Sequence, residues 1–518
     1  MVTIKVSIKD KSIKKESEEE FYLKAIERIE KYASKAVEHA STPGMVVAIS
    51  KGDQMLLNKG FGIKSLNNIG KPNNEYTNNT LTPLCSMTKS ISAGAISILV
   101  NQGKLAWNTP IQKYVPEIEF SDPWITKHVT ILDILTHRTG LSPHMNAIHG
   151  KNGLLTSRKD FLQNLKSLPF VGEFRSSYIY NNMMYSLVSF IIKVVSGVSY
   201  SKFVQDNIFT PLNITNFTWT TSDLKKSGDY SSPHDYGYSL QEFYKEFKDT
   251  TIDDTVEFKF KEIAGWEFND DVMIGVGTLA LSSTDMMKWV QCLMNDGKSW
   301  DGIQVIFQVD FLSKPHNTCT SNTLGYGCGL QYSVIEGHEM VSHTGGLPGY
   351  GGVFSYIKAK KIAIFIGYNS SDAVRIKSAV DAEILNLNEK VVPEVDNPFP
   401  FIEFVIQNYQ NVNDGIKVIH PRFEELVGTY THPAYGEVII GKEARSGHLS
   451  MVRQPEYSVL YPCSKLADDD DGSLSFFAID GLFYHTWVFK INEDESISLT
   501  LKDESAIGKV EVVFVRND

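Results

Sequence analysis

Ser86-Met87-Thr88-Lys89 puts a serine at a helix entry and a lysine one turn later on the same face, where an amine can take a hydroxyl proton. The spacing alone says little, since it also starts at Ser12, Ser199, Ser222 and Ser355. What sets Ser86 apart is the following run, Ile91-Ser92-Ala93-Gly94-Ala95-Ile96-Ser97-Ile98-Leu99-Val100, apolar or small almost all round and therefore fit for a helix at the centre of a domain. Desolvation at the mouth of such a helix lowers a lysine pKa and makes the amine a base, while the helix N-terminus favours negative charge on Ser86. The plain alternative is a capping serine beside a snorkelling lysine.

Two more groups are candidates. Tyr180-Asn181-Asn182 precedes the stripe Met184, Leu187, Val188, Ile191, Ile192 and Val195, which Gly197 ends, so Tyr180 and Asn182 stand at a helix start. A phenol beside one or two cations has its anion favoured and can shuttle protons at neutral pH. Y-x-N recurs at Tyr76 and Tyr409, and a tyrosine packed in a capping loop is the alternative. Ser342-His343-Thr344-Gly345-Gly346 follows the strand-like Glu339-Met340-Val341. Adjacent glycines on a strand let another backbone approach, and His343 adds a titratable group; a tight turn with a surface histidine is the alternative. No phosphate-loop context surrounds these glycines.

In this order and context the three groups resemble the serine β-lactamase and penicillin-binding protein superfamily, in the class C-like branch with D-aminopeptidases, esterases and eukaryotic β-lactamase-like proteins. The likeness extends to Pro43-Gly44-Met45-Val46-Val47-Ala48 with Gly60-Phe61-Gly62, to Thr130-Ile131-Leu132-Asp133-Ile134-Leu135-Thr136-His137-Arg138-Thr139-Gly140-Leu141, to Phe209-Thr210-Pro211-Leu212, and to Gly275-Val276-Gly277-Thr278-Leu279 with Ser282 to Asp285. The resemblance implies Ser86 as acylated nucleophile, Lys89 as its base, Tyr180 as proton relay, and Asn182 binding a substrate amide and orienting Lys89. It implies an oxyanion hole from the Ser86 and Gly346 N–H groups, with Thr344 and Gly345 on the same substrate-binding strand, and neither metal nor cofactor. Where drug-hydrolysing members carry K-[ST]-G, this chain has His343-Thr344-Gly345, so a permanent cation is replaced by at most part of one. That shifts the expected substrates from β-lactams towards esters, amides and short peptides. No glutamate of the class A deacylating type can be placed, so Tyr180 and Lys89 must serve deacylation too. Cys85 is read as packing and His137 as support for the cleft wall.

The elements that must position these residues are legible in outline. Tyr22, Ala25, Ile26, Ile29, Tyr32, Ala33, Ala36 and Val37 make an amphipathic helix over Glu18 to His39, and a hairpin follows at Met45–Ser50 and Met55–Leu57. A last apolar strand, Ile362–Ile366, and a closing helix to about Leu387 end a hydrolase domain at 18–387, preceded by a polar lead at 1–17. Four prolines mark a linker at 388–421. Six strand-like runs (Leu426–Tyr430, Glu437–Ile440, Leu474–Ile479, Tyr484–Ile491, Ser496–Leu501 and Val510–Val515) then predict an all-β domain at 422–518 that resembles the lipocalin-like barrel of some of these hydrolases. Asp468–Asp471 reads as a loop tip, and Ser222–Gly265 as either a substrate-selecting lid or a surface excursion. The expected fold is α+β: the β-lactamase/DD-peptidase fold, an antiparallel sheet flanked by helices plus an all-helical subdomain, with the small barrel appended.

Composition agrees with this and excludes other classes. The chain has 518 residues, and 50 Lys+Arg against 61 Asp+Glu give a formal charge of −11, with no basic footprint for nucleic acid. No apolar run reaches the length of a membrane span and the charged N-terminus lacks a signal-peptide core, so a cytoplasmic protein is expected. Five scattered cysteines (Cys85, Cys292, Cys319, Cys328 and Cys463) suggest neither a disulfide framework nor zinc. A small-molecule or short-peptide substrate is the expected partner, and a homo-oligomer is compatible. The competing reading is an inactive β-lactamase-like scaffold, against which stands the complete Ser86, Lys89, Tyr180 and Asn182 set.

Overall fold

The structure is a computed structural model that describes residues 17–38, 42–142, 157–237, 259–264, 270–318, 325–335, 337–370, 380–381, 384, 423–432, 436–442, 449–453, 456–462, 473–480, 483–492, 496–503 and 510–517. The polar lead before residue 17, the linker at 388–421, the Asp468–Asp471 run, Cys319, Cys463 and the middle of the Ser222–Gly265 stretch lie outside them.

Helix α1 (Glu18–Glu38) buries Ala25, Ile29 and Ala33 and opens with three glutamates at its positive end. It packs on the hairpin β1 (Gly44–Lys51) and β2 (Gln54–Gly62), whose turn places Gly52 at φ 60°. The central helix α2 (Thr88–Asn101) is buried from Thr88 through Leu99, as its all-round apolar sequence predicts. Gly94 is required there, since a Cβ would lie 2.7 Å from the Trp289 ring. Helix α3 (Asn182–Ser196) is capped by Asn181 and ended by Gly197 at φ 79°; helix α4 (Ser283–Met294) follows.

Five strands complete the main sheet: β3 (Gly325–Tyr326), β4 (Gln331–Ile335), β5 (His338–Leu347), β6 (Tyr350–Ile357) and β7 (Ile362–Tyr368). The order is β2-β1-β7-β6-β5-β4-β3, antiparallel throughout. Both faces are covered. Met45, Val47, Ile49, Ile364 and Ile366 pack with α1 and with Val380 and Ile384, helical residues after the sheet, while Val46, Ala48, Phe354 and Phe365 join the core containing α2, α3 and α4. Double coverage is why β1 and β7 read as unbroken apolar runs.

Towards the C-terminus eight antiparallel strands close a barrel, where six runs were expected. The two extra strands, Leu449–Arg453 and Glu456–Pro462, pair with each other and with the strands flanking them. Pro455 and Pro462 demote these segments in a sequence reading, because proline interrupts a ladder. Tyr430, Ile440, Phe476, Trp487, Phe489 and Phe514 are among the buried side chains of the barrel strands. Among the described residues no single helix is long and apolar enough to cross a membrane.

Candidate active site

Ser86 stands on a forced turn. A short strand, Thr82–Pro83, pairs with Ala280–Leu281 and leads into a 3-10 turn, Cys85–Met87, directly ahead of α2. Cys85 has φ 50°, a left-handed conformation that costs a residue with a Cβ about 1–3 kcal/mol. Its thiol is buried, and burial pushes it up to about 12 despite Lys89, so it packs rather than reacts. Glycines let the sheet close on this turn: a Cβ on Gly345 would lie 2.3 Å from the Leu84 carbonyl oxygen, and one on Gly277 3.2 Å from the Cys85 carbonyl carbon. Gly345 pairs with Gly352 and Gly346 with Gly351 across β5 and β6.

Lys89 is fully buried, and its Nζ lies 2.9 Å from Ser86 Oγ and 3.4 Å from the Val276 carbonyl oxygen. The ammonium position sits over the rings of Tyr180 and Tyr185 at 5.0 and 5.5 Å. Burial pushes the amine well below its ordinary value, which favours its uncharged form. Tyr180 is hydrogen-bonded to Ser86, yet burial outweighs that bond and raises the phenol. The expectation of a tyrosinate favoured by cations is therefore corrected. Burial of the phenol outweighs what its neighbours offer its anion, so Tyr180 holds its proton.

His137 does more than wall the cleft. Its carbonyl accepts from Ile179 N–H at 2.9 Å and its Nδ1 from Asn181 N–H at 3.0 Å, so one residue clamps the backbone on both sides of Tyr180. It does so at φ 56°. Burial, then Lys89, then His343 push its ring well down, and because Nδ1 accepts, the neutral ring carries its proton on Nε2. Asn181 caps α3 by accepting from Met183 and Met184 N–H and donates to the carbonyls of Leu141 and Ser142. Asn182, the residue expected to bind substrate, is the first of α3 and half-buried.

Along β5 burial alternates, with His343 and Gly345 inside and Thr344 and Gly346 exposed. The His343 ring lies 6.4 Å from that of Tyr180, centre to centre. Burial, with Lys89 adding to it and a Thr344 backbone bond partly opposing, pushes the imidazole down to about 3. The partial cation expected at this position is thus absent at neutral pH. Ser86, Lys89, Tyr180 and His343 converge, with Thr344, Gly345 and Gly346 on the adjoining strand.

A sequence profile of the Beta-lactamase family matches residues 29–387, more than half of the chain. The chain belongs to the Beta-lactamase family. Among its relatives, "Unguisins hydrolase ungD'" of Aspergillus campestris is 24% identical over 424 residues, covering 77% of this chain and 74% of that protein. Three solved structures share the fold. The octameric penicillin-binding protein homologue of Pyrococcus abyssi has a TM-score of 0.56 at 19% identity, over 94% of this chain and 99% of that one. D-amino acid amidase of Ochrobactrum anthropi gives 0.56 at 19%, over 70% and 98%. A class C beta lactamase of Rhodobacter sphaeroides gives 0.52 at 16%, over 71% and 98%.

Beside the Cys85–Met87 turn of this Beta-lactamase family chain lies a cavity of about 230 Å³. Gly277 and Leu347 line it together with Leu224, Tyr230, Glu262 and Ile263. The described ends of the Ser222–Gly265 stretch thus line this cavity. Sequence reading missed the Asn181 cap, although an Asn before an apolar helical stripe is a start signal. It also missed Tyr326, for which no local signal exists.

Proposed function

We propose that the chain is a serine hydrolase that cleaves amide or ester bonds of small substrates, D-aminoacyl amides and short peptides among them, through an acyl-enzyme on Ser86. The observation that carries this reading is the 2.9 Å contact between Ser86 Oγ and the buried amine of Lys89, whose pKa burial lowers. Ser86 Oγ attacks the substrate carbonyl carbon as its proton passes to Lys89 Nζ. The oxyanion rests on the N–H groups of Ser86 and Gly346, where losing one donor costs about 10²–10³ in rate. Collapse breaks the bond to the leaving amine or alcohol, which takes a proton from Tyr180 as Lys89 returns one to it. Water, activated by the same pair, then cleaves the acyl ester and restores Ser86. Asn182 binds the substrate amide in this scheme.

An uncharged His343 offers no cation to a substrate carboxylate, which supports esters and amides over penicillins. Kinship to a protein named a hydrolase and the fold shared with a D-amino acid amidase support amide cleavage. A homo-oligomer is proposed on the fold shared with an octameric homologue over nearly the whole chain; light scattering that returned only the monomer mass would reject it. For the chemistry, a fluorophosphonate probe should label Ser86 and fail on Ser86→Ala, as read by mass spectrometry. Absence of labelling by any acylating probe would return the chain to the scaffold reading. In a panel of D-aminoacyl amides, p-nitrophenyl esters and penicillins, efficient turnover of penicillins alone would overturn the specificity argument.

A further inference from the structure

The two nitrogens of His343 have unlike neighbours. Nδ1 lies 2.6 Å from the Thr344 carbonyl oxygen and Nε2 2.9 Å from Tyr326 Oη. A carbonyl only accepts, so the first contact is a hydrogen bond only with the proton on Nδ1. The buried ring is neutral at pH 7, which leaves Nε2 as a bare acceptor. Tyr326 must then be the donor. Its hydroxyl keeps its proton, since burial raises it well above the ordinary phenol range. Its backbone is pinned to that of His316 and Asn317, and its ring packs 4.8 Å from His137, centre to centre. A competing acceptor is Tyr185, which bonds to Tyr326 and donates its own proton to the Leu135 carbonyl; a Tyr326 proton spent there would leave two lone pairs facing each other at Nε2.

We propose that Tyr326 is a positioning residue: its O–H donates to His343 Nε2 and fixes the tautomer whose Nδ1–H holds the Thr344 carbonyl. Residues two apart on a strand send their N–H and C=O groups to the same edge, so the edge held at Thr344 is the one bearing the Gly346 N–H. The role rests on the acyl-enzyme reading, in which that N–H receives the oxyanion. No local pattern around Gly325-Tyr326-Gly327 predicts it, because the contact spans two non-adjacent strands of the sheet.

The test uses the full chain labelled with ¹⁵N-histidine, whose two-bond ¹H–¹⁵N spectra distinguish protonated from bare ring nitrogens. His343, assigned through the loss of its signals in His343→Asn, is expected bare at Nε2, and His137, of the opposite tautomer, bare at Nδ1. Tyr326→Phe should move the His343 Nε2 resonance and leave His137 unmoved. On a p-nitrophenyl ester the same variant should lower kcat about ten-fold at unchanged KM, the scale of one lost hydrogen bond, and cost nothing further in the His343→Asn background. A wild-type His343 protonated at Nε2 would overturn the proposal, and that spectrum decides even if Tyr326→Phe does not fold. An equal loss with and without His343 would also overturn it. Failure of Ser86 to label would remove the acyl-enzyme reading, whereas the spectra still judge the Tyr326 to His343 bond.

Discussion

Lys89 sits among aromatic rings rather than carboxylates, and that surrounding sets its chemistry. With Tyr180, Tyr185 and the neutral rings of His137 and His343 about it, the amine finds hydrogen-bond partners in Ser86 and Val276. An amine that is bare in the fold but protonated when unfolded makes the unfolded state bind more protons, so stability rises with pH between its depressed folded pKa and the ordinary lysine range near 10.5. Lys89→Met removes that cost at pH 7. The variant should lose about 10²–10⁴ of the rate yet melt higher, at about 1 °C per kcal/mol gained for a domain of this size; calorimetry and an esterase assay on one preparation check both halves. Activity of the wild type should fall as acid protonates Lys89, on the low-pH limb of the rate profile.

At the scale of elements, the site depends on how closely β5 approaches the turn ahead of α2. Gly345→Ala would drive a Cβ to 2.3 Å from the Leu84 carbonyl oxygen, forcing the strand and the Ser86 turn apart. Gly346→Ala meets nothing within 4 Å. The expected outcome is a loss of about 1–3 kcal/mol for Gly345→Ala, with slower Ser86 labelling, against near-wild-type urea unfolding for Gly346→Ala. Equal destabilisation would refute the close-approach account. His137→Ala, which unclamps both neighbours of Tyr180, should slow Ser86 acylation by more than its effect on KM, read in burst kinetics. The double glycine was legible in the sequence as a place where something comes near. That the neighbour is the turn holding Ser86 was not, since the two are joined only by the fold.

Across the whole molecule, Asp133 ties the helical region together. It is buried, closes a capping box with Thr130, and bonds Arg138 and Arg175 at 2.6 and 2.8 Å. Burial alone would raise its carboxyl; the bonds from Arg175 and Thr130 and the charge of Arg138 outweigh it and hold the pKa below the usual range. With the folded pKa depressed, the stabilisation is present above the unfolded value near 3.9 and is lost as pH falls through the folded one. Asp133→Ala should cost about 2–3 kcal/mol at pH 7, below the fully buried figure because Arg175 is partly exposed, and should flatten the acid limb of the stability curve measured by urea unfolding. An unchanged acid limb would reject this assignment.

The amino-acid order by itself determined the periodic features: α1, the hairpin, the buried run after Ser86, the stripe after Tyr180, and most of the barrel strands. Each is written in local spacing, and each candidate of the resemblance stood in such a context. Charge states were decided only by the tertiary structure. How far the proton affinities of Lys89, Tyr180 and His343 depart from their ordinary values depends on burial, which the fold creates from segments distant in the chain, and no local window contains that sum. The same holds for the His137 clamp and for Tyr326, whose partners lie on other elements. Sequence spacing names the chemical groups; burial sets which of them carries a proton.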